Sequence, residues 1–143
     1  NPSINSLIAI ARALNVRTSY FFDVHENGTS PVIKSHERRT IQSPNGVTFY
    51  LLRPTRPDLS IDFKYTVYEK GGSAGNFHTH EGEECGIVLE GRLEVTYDDK
   101  TYVLEAGDSI YIDSRKPHFM KNIYDGRTIT IWVDSPPPPN TYI

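Results

Sequence analysis

The stretch "GSAGNFHTHEGEECGIVLEG", residues 72 to 91, decides the fold and much of the chemistry of this 143-residue chain. His78 and His80 are two positions apart, so on an extended strand their side chains project to the same face. Glu84 follows closely enough to curl back toward the same point. His118 comes from far along the chain, ahead of a strand that a barrel could bring alongside. Three imidazoles and a carboxylate suit a divalent transition metal, although a metal-free polar interior satisfied by water is the alternative.

Short segments rich in β-branched and aromatic residues recur after residue 35, and most of them alternate in polarity. Gly, Pro, Asn or Asp separates many of them, and Gly91 and Gly107 suit tight reversals. This spacing predicts a mainly β protein, a barrel or sandwich, with no long helix after residue 35. The predicted strands cover residues 47–53, 61–69, 84–91, 92–98, 100–105, 108–113 and 128–134.

The first residues, "NPSINSLIAIARALNV", predict a short amphipathic helix. Ser3 is a suitable N-cap, and Asn15 can adopt the left-handed conformation that ends a helix. A helix of about three turns cannot bury its own apolar stripe, so it needs a partner. Thr18 or Ser19 could cap one further turn. The stripe expected in the core consists of Ile4, Leu7, Ile8, Ala11 and Leu14.

The two ends of the barrel region are marked by composition. Residues 24–35 are polar and turn-rich and indicate a linker, whereas residues 36–143 form the predicted β domain. Four consecutive prolines, residues 136–139, predict an extended tail that acts as a strap or contact arm.

Composition excludes several classes of protein. The formal net charge is −3 and the basic residues form no long run, which argues against a nucleic-acid or anionic-membrane footprint on this chain. No apolar stretch approaches the roughly 20 residues that span a bilayer, so no membrane partner is expected. A single cysteine, Cys85, fits a reducing cytoplasm.

The histidine stretch resembles the first cupin motif, which has a glycine, H-x-H, a glutamate and a second glycine at set spacing. Gly72, His78, His80, Glu84 and Gly91 match it without a gap. The resemblance covers roughly residues 36 to 135. It implies a double-stranded β-helix, or jelly-roll barrel, in which the two histidines and the glutamate are metal ligands.

Residues 107 to 122 resemble the second cupin motif, keeping Gly107, His118 and Asn122. They depart from it at Asp113 and Arg115, where the family usually has proline and glycine. The resemblance makes His118 the fourth ligand of a divalent metal such as Zn, Fe, Mn or Ni. The turn before His118 is where the ligand geometry is least determined by the motif.

Residues 1–23 resemble the closing helices of an XRE-type helix-turn-helix domain. Together with a cupin, this order is similar to that of XRE–cupin regulators, a large bacterial class. The resemblance implies a sensor domain of a transcription regulator that binds a small-molecule effector and acts as a homodimer. DNA would bind through a helix-turn-helix region whose recognition helix is expected before Asn1.

An enzyme is the alternative function, because cupins with this ligand set include mononuclear iron oxygenases and epoxidases, some with a helix-turn-helix-like domain. We expect no catalytic residue beyond the metal ligands, since no substrate-orienting cluster or general base stands out. A free-standing binding cupin is a third reading, against which the helical preface argues. Aromatic residues that could line an effector pocket are Tyr65, Phe77, Phe119 and Trp132.

Overall fold

The computed structural model describes residues 4–15, 30–56, 58–74 and 79–138, with side chains from residue 6 onward. A helix, α1, precedes a single 3₁₀ turn at Ser35–Glu37 and ten strands. The elements are α1 (Ile4–Ala13), β1 (Thr40–Ser43), β2 (Val47–Leu51), β3 (Asp62–Tyr68), β4 (Ser73–Ala74), β5 (Glu83–Glu90), β6 (Arg92–Tyr97), β7 (Lys100–Glu105), β8 (Ser109–Asp113), β9 (His118–Asn122) and β10 (Thr128–Ser135).

The strands form two antiparallel sheets. The larger sheet has the order β1-β2-β3-β10-β5-β8, and the smaller has the order β4-β9-β6-β7. Apolar side chains from both sheets meet in one core, so the sheets pack face to face as in a barrel. The core residues are Val47, Tyr68, Val88, Leu93, Val95, Leu104, Ile112, Met120 and Trp132. The predicted all-β barrel is therefore confirmed.

Alternation along the strands determines what points inward. In β3 every second residue is buried, beginning with Asp62, and in β10 the buried set includes Trp132 and Asp134. Because these two strands are paired antiparallel, Lys64 lies opposite Trp132 and Asp62 opposite Asp134. Polar and charged residues thus share the interior with the apolar core.

Three strands were not anticipated from the sequence. β1 and β4 are short, and their residues show no extended apolar alternation. His118 does not precede a strand but begins β9, which pairs with β4 and β6 in the smaller sheet. The unanticipated β9 matters most, because it carries one predicted ligand into the barrel.

Helix α1 ends as predicted, since Asn15 has a φ of 53°. Ala11 is buried, but Leu14 is 60% exposed, so its assignment to the core stripe was wrong. Leu14 lies in the turn after the helix, where the rotation of 100° per residue no longer holds it on the buried face. Among the described residues, no helix has the length and hydropathy needed to cross a bilayer. The predicted cap at Ser3, the further turn at Thr18 or Ser19 and the first half of the linker lie outside the described residues.

Candidate metal centre

Three of the predicted ligands come from different segments and meet inside the barrel. Glu84 is the second residue of β5 and points inward, because its neighbours Glu83 and Cys85 are exposed. His80 lies in the loop that leads into this strand, and His118 begins β9 in the opposite sheet. The fold thus joins residues almost 40 positions apart around one interior point.

The three side chains lie within direct contact of one another. Glu84 Oε1 is 3.0 Å from His80 Nε2 and 2.9 Å from His118 Nε2. All three candidate ligand atoms lie within 4.8 Å of one another, and the two imidazole rings are 5.4 Å apart in an edge-to-face arrangement. Glu84 and His118 are buried, and His80 is half-buried at the edge of the site.

The other ring nitrogens set the tautomer of both histidines. His80 Nδ1 lies 3.1 Å from the carbonyl oxygen of Glu81, and His118 Nδ1 lies 2.8 Å from that of Lys116. A carbonyl only accepts hydrogen bonds, so each Nδ1 carries the proton. In the neutral imidazole, each Nε2 then has a free lone pair directed at Glu84. Two lone pairs that face a carboxylate require either extra protons or a cation between them.

The contacts within the cluster lower the pKa of the carboxylate and raise the pKa values of both imidazoles. Burial opposes ionisation of Glu84, but the hydrogen bonds with His118 and His80 outweigh it and hold its pKa well below the usual range. The hydrogen bond with Glu84 raises the pKa of His80. Burial lowers the pKa of His118, yet its hydrogen bond with Glu84 wins, so that this pKa is also raised. Without a metal, the cluster therefore favours a carboxylate between imidazolium rings.

A second group of buried charges lies behind Glu84. Asp134 is directly opposite Glu84 in the β5–β10 ladder and forms an ion pair with Lys64. Asp62 lies 3.8 Å from Lys64 Nζ and accepts a 2.9 Å hydrogen bond from Arg53. Burial raises the pKa of Asp134 to about 6 although Lys64 opposes this. We call Arg53, Asp62, Lys64 and Asp134 the charge layer.

Sequence reasoning missed the charge layer and Ser114, whose hydroxyl donates a 2.9 Å hydrogen bond to Glu84 Oε1. A signal was present in "IDFKYTVYE", where charged and aromatic residues alternate. Tyr65, on the aromatic side of that strand, is one of the candidate effector-pocket residues. The structure buries Asp62 and Lys64 instead, because they lie on the same face of β3 as the core residue Tyr68.

The alternation of inward and outward residues in β3 and β9 corrects two of the four predicted pocket residues, Tyr65 and Phe119. Tyr65 lies between two inward residues and therefore faces outward, where its ring meets Tyr50 and Arg38. Phe119 lies between the buried His118 and Met120, so it too faces outward. Trp132 faces the interior and packs on Gly86, where an added Cβ would lie 2.6 Å from the indole ring. Of the four predicted pocket residues, only Trp132 is placed inside the barrel; Phe77 lies outside the described residues.

Two further residues near the site face outward. Glu83 is exposed and accepts a 2.6 Å hydrogen bond from the Tyr111 hydroxyl, so it points away from the three ligands. Cys85 is exposed as well. Cys85 lies on the outward face of β5, because its neighbours Glu84 and Gly86 lie on the inward face. His78, the remaining predicted ligand, lies outside the described residues.

The donor set fits a divalent transition metal. Two neutral imidazole nitrogens and one carboxylate oxygen are the donors that Zn²⁺ and Fe²⁺ accept, and each Nδ1 proton is held by a backbone carbonyl. Such outer contacts are typical of histidines that bind metal through the other nitrogen. His80, Glu84 and His118 are therefore the described residues that could hold an ion.

Comparison with known proteins supports this architecture. The family model described as a cupin domain matches residues 64–134. The HTH-type transcriptional regulator PuuR of Escherichia coli K12 is 28% identical over 127 residues, which cover 88% of this chain and 69% of that protein.

Solved structures show the same fold. An RmlC-like cupin from Shewanella frigidimarina aligns with a TM-score of 0.65 and 21% identity, covering 78% of this chain and 95% of that one. An HTH_3 family transcriptional regulator from Vibrio cholerae aligns with a TM-score of 0.63 and 22% identity, covering 95% and 73%. The resemblance to cupins that occur with helix-turn-helix domains is confirmed. Residues 64–134 are thus a cupin domain, and the chain is similar over 88% of its length to an HTH-type transcriptional regulator.

Proposed function

We propose that the chain is the ligand-sensing part of a bacterial DNA-binding transcription regulator, in which the barrel binds a small-molecule effector with the help of a divalent transition metal. The observation that carries the proposal is the convergence of two imidazole nitrogens and one carboxylate oxygen inside the barrel of a chain related to regulators. His80, Glu84 and His118 would hold the ion, with His78 as the fourth ligand implied by the cupin motif.

The surroundings of the site suit recognition of a polar molecule. A bound metal would supply a Lewis acid to which an oxygen or nitrogen donor of the effector attaches. Trp132 contributes an apolar wall beside Gly86, and the charge layer keeps the neighbouring interior polar. An effector that contacts β5 and β9 together would link the two sheets, since Glu84 and His118 belong to different ones.

Regulation would follow from differential affinity. An effector shifts a regulator between two arrangements only by as much as its binding free energy differs between them. We propose that residues 1–23 are the closing helices of a helix-turn-helix domain and that residues 24–35 are the linker to the cupin domain of residues 36–143. DNA is the proposed partner of that helix-turn-helix region, and the cytoplasm is the proposed location.

We also propose that the regulator acts as a homodimer, because two-fold pairs of helix-turn-helix domains match palindromic operators. The outward faces of β5 and β8 support this, since Ile87, Leu89 and Tyr111 are 38–54% exposed there. Such a patch suits the centre of an interface of about 800 Å² per partner. Sedimentation velocity should show dimers that Ile87→Lys separates. Val103→Lys, on the exposed strand β7 of the other sheet, is the control and should leave them intact.

Metal content and ligand binding test the central proposal. Purified protein should contain about one transition metal ion per chain by elemental analysis, and chelation should remove it. A thermal-shift screen of amino acids, polyamines and small carboxylates should then identify a compound that raises the melting temperature of the loaded protein only. Protein that neither contains nor takes up Zn²⁺, Fe²⁺, Mn²⁺ or Ni²⁺ would contradict the metal part of the proposal.

A mononuclear iron enzyme is the second candidate function, because two histidines and one carboxylate are the ligands of many iron oxygenases. The distinction is kinetic. The compound found in the screen should be recovered unchanged after incubation with Fe(II)-loaded protein and O₂. Its conversion to an oxidised product, measured by mass spectrometry, would favour the enzyme.

A further inference from the structure

Ser114 occupies an unusual place between the ligands. It lies in the turn from β8 to β9 and is fully buried, although the next residue, Arg115, is exposed. Its hydroxyl donates to Glu84 Oε1 at 2.9 Å. Its backbone N–H donates to the Gly82 carbonyl at 3.0 Å, and its carbonyl accepts from the His80 N–H at 2.9 Å. One residue therefore touches the segment that carries two of the ligands at three points.

The turn around Ser114 is built differently from the usual cupin pattern. Asp113 and Arg115 replace the proline and glycine of that pattern, and the Asp113 carboxylate accepts hydrogen bonds from the Arg115 N–H at 3.1 Å and from its guanidinium at 2.9 Å. The Lys116 N–H closes the turn on the Asp113 carbonyl. The hydrogen bonds between Asp113 and Arg115 thus fix the backbone of this turn. In this conformation Ser114 points inward, and His118 follows two residues after Lys116.

A donor on Glu84 matters because the last torsion of a glutamate is soft. Its carboxylate rotates over a broad range, so contacts must select the orientation that faces both imidazoles. Both Nε2 atoms lose their protons when a metal binds and can then no longer donate to Glu84. The Ser114 hydroxyl keeps its proton in both states. Ser114 is therefore a donor to Glu84 that remains available when both Nε2 atoms bind the metal.

We propose that Ser114 is a positioning residue, which holds the Glu84 carboxylate in its metal-binding orientation and couples the His80–Glu84 segment to the turn before His118. This inference rests on the proposed metal site. Loss of such an outer contact typically weakens metal binding by about 10–100-fold. Ser114 itself does not contact the ion in this role.

The test uses the full chain with Ser114→Ala and compares Zn²⁺ dissociation constants by chelator competition. We expect a loss of about 10–100-fold, with a shift in the visible absorption bands of the Co²⁺-loaded protein because the carboxylate reorients. Ser114→Thr keeps a hydroxyl and should restore much of the affinity. Thr130→Val is the matched control, since Thr130 is equally buried on the inward face of β10 but its hydroxyl has no hydrogen-bond partner among the described residues.

The outcomes separate this role from the metal site itself. If wild-type protein binds Zn²⁺ and Co²⁺ and Ser114→Ala has the same dissociation constants and spectrum, the positioning role is overturned while the site stands. An equal loss in Thr130→Val would also overturn it, because the effect would then be a general response of the barrel. If wild type binds neither ion, the proposed site fails and the role of Ser114 fails with it.

Discussion

The two ends of strand β9 each bury a polar side chain in the barrel, one among charged groups and the other among neutral ones. His118 begins the strand in a cluster of charged groups, whereas Asn122 ends it in a neutral network. Both residues are buried. At the first end the acceptors converge and need protons or a cation to be stable together. At the second end every polar atom of the side chain has a protein partner.

The Asn122 end is fully satisfied by hydrogen bonds. The two N–H groups of the side-chain amide are shared among the carbonyl oxygens of Tyr68, Glu69 and Gly126, which lie 2.7–3.1 Å from Nδ2. Its carbonyl oxygen accepts from the Tyr124 N–H at 2.9 Å and the Thr128 hydroxyl at 2.6 Å. These bonds join β9 to β3 and to the start of β10. The comparison teaches that this fold separates stability from binding, with a neutral clamp at one end and a charged site at the other.

The largest loss of stability is expected for Asn122→Leu, which removes the neutral network at the end of β9. It removes every side-chain hydrogen bond of Asn122 from a buried site, so we expect a loss of about 4 kcal/mol in the free energy of unfolding. Urea denaturation should show the same loss at pH 5 and pH 8 and with or without metal, because no group in the network titrates. Lys121→Ala, at the exposed neighbouring position, is the control. A loss that depended on metal would contradict the separation of the two ends.

Removing Lys64, one of the two cations of the charge layer, should cost slightly less, and the cost should depend on pH. Lys64→Met leaves Asp134 without its partner, which we expect to cost about 3 kcal/mol at pH 8. The cost should be smaller at pH 5, because Asp134, with a pKa of about 6, is then largely protonated. Denaturation curves at the two pH values measure this difference. An equal cost at both would show that Asp134 does not ionise against Lys64.

Glu84→Gln is a change aimed at metal binding rather than at the neutral network around Asn122. The amide keeps the shape of the side chain and can still accept from Ser114, but it is a poor metal ligand. At a Zn²⁺ concentration 100 times the dissociation constant of wild type, that protein should gain about 2.7 kcal/mol on loading, and the variant should gain almost nothing. Thermal melts with Zn²⁺ and with chelator give both values. A normal gain in the variant would exclude Glu84 as a ligand.

The smallest expected effect is the pH dependence of metal-free wild type. His80 and His118 have raised pKa values, so their contribution is present below about pH 6.5, the unfolded pKa, and is lost as the pH rises through the folded values. Glu84, with a lowered pKa, contributes above about pH 4.5. Ionisation of Asp134 adds to the loss as the pH rises from about 4 to 6. Chelated protein should therefore melt about 3 °C lower at pH 8 than at pH 5.

Metal should reverse this trend, since binding requires neutral imidazoles and strengthens as the pH rises. Loaded protein should thus show its largest gain in melting temperature over chelated protein near pH 8. His36 is exposed and serves as the internal control, because His36→Gln should leave the profile unchanged. A metal gain that is independent of pH would show that the histidines are not the ligands.

Much of the fold and part of the site were predictable from residues close together in sequence. The spacing of Gly72, His80 and Glu84 pointed to the barrel and to the ligand set, and the family model agrees over residues 64–134. The position of Asn15 at the end of α1 was predictable because a left-handed residue closes a helix locally. Each of these predictions depends on contacts within a few residues or on a motif with fixed spacing.

The parity of β3 was not predictable in the same way. "IDFKYTVYE" has one face with Phe63 and Tyr65 and another with Asp62 and Lys64, and an isolated strand favours burial of the aromatic face. The structure buries the charged face, because both of its charged residues find partners inside the barrel. Arg53, which follows β2, pairs with Asp62, and Asp134 of β10 pairs with Lys64. Shifting a strand by one residue exchanges its faces, so these partners, which are distant in sequence, decide what is inside.

By itself, the sequence determined that short alternating strands build a barrel, where its turns fall and which histidines and carboxylate have the spacing of a metal site. Only the tertiary structure decided that Ser114 holds Glu84, that the charge layer lies behind it and that Tyr65 and Phe119 face outward. The physical reason is the range of the interactions. Backbone conformation and side-chain alternation are local properties, whereas the choice of the buried face and the pairing of buried charges depend on strands that meet only when the chain has folded.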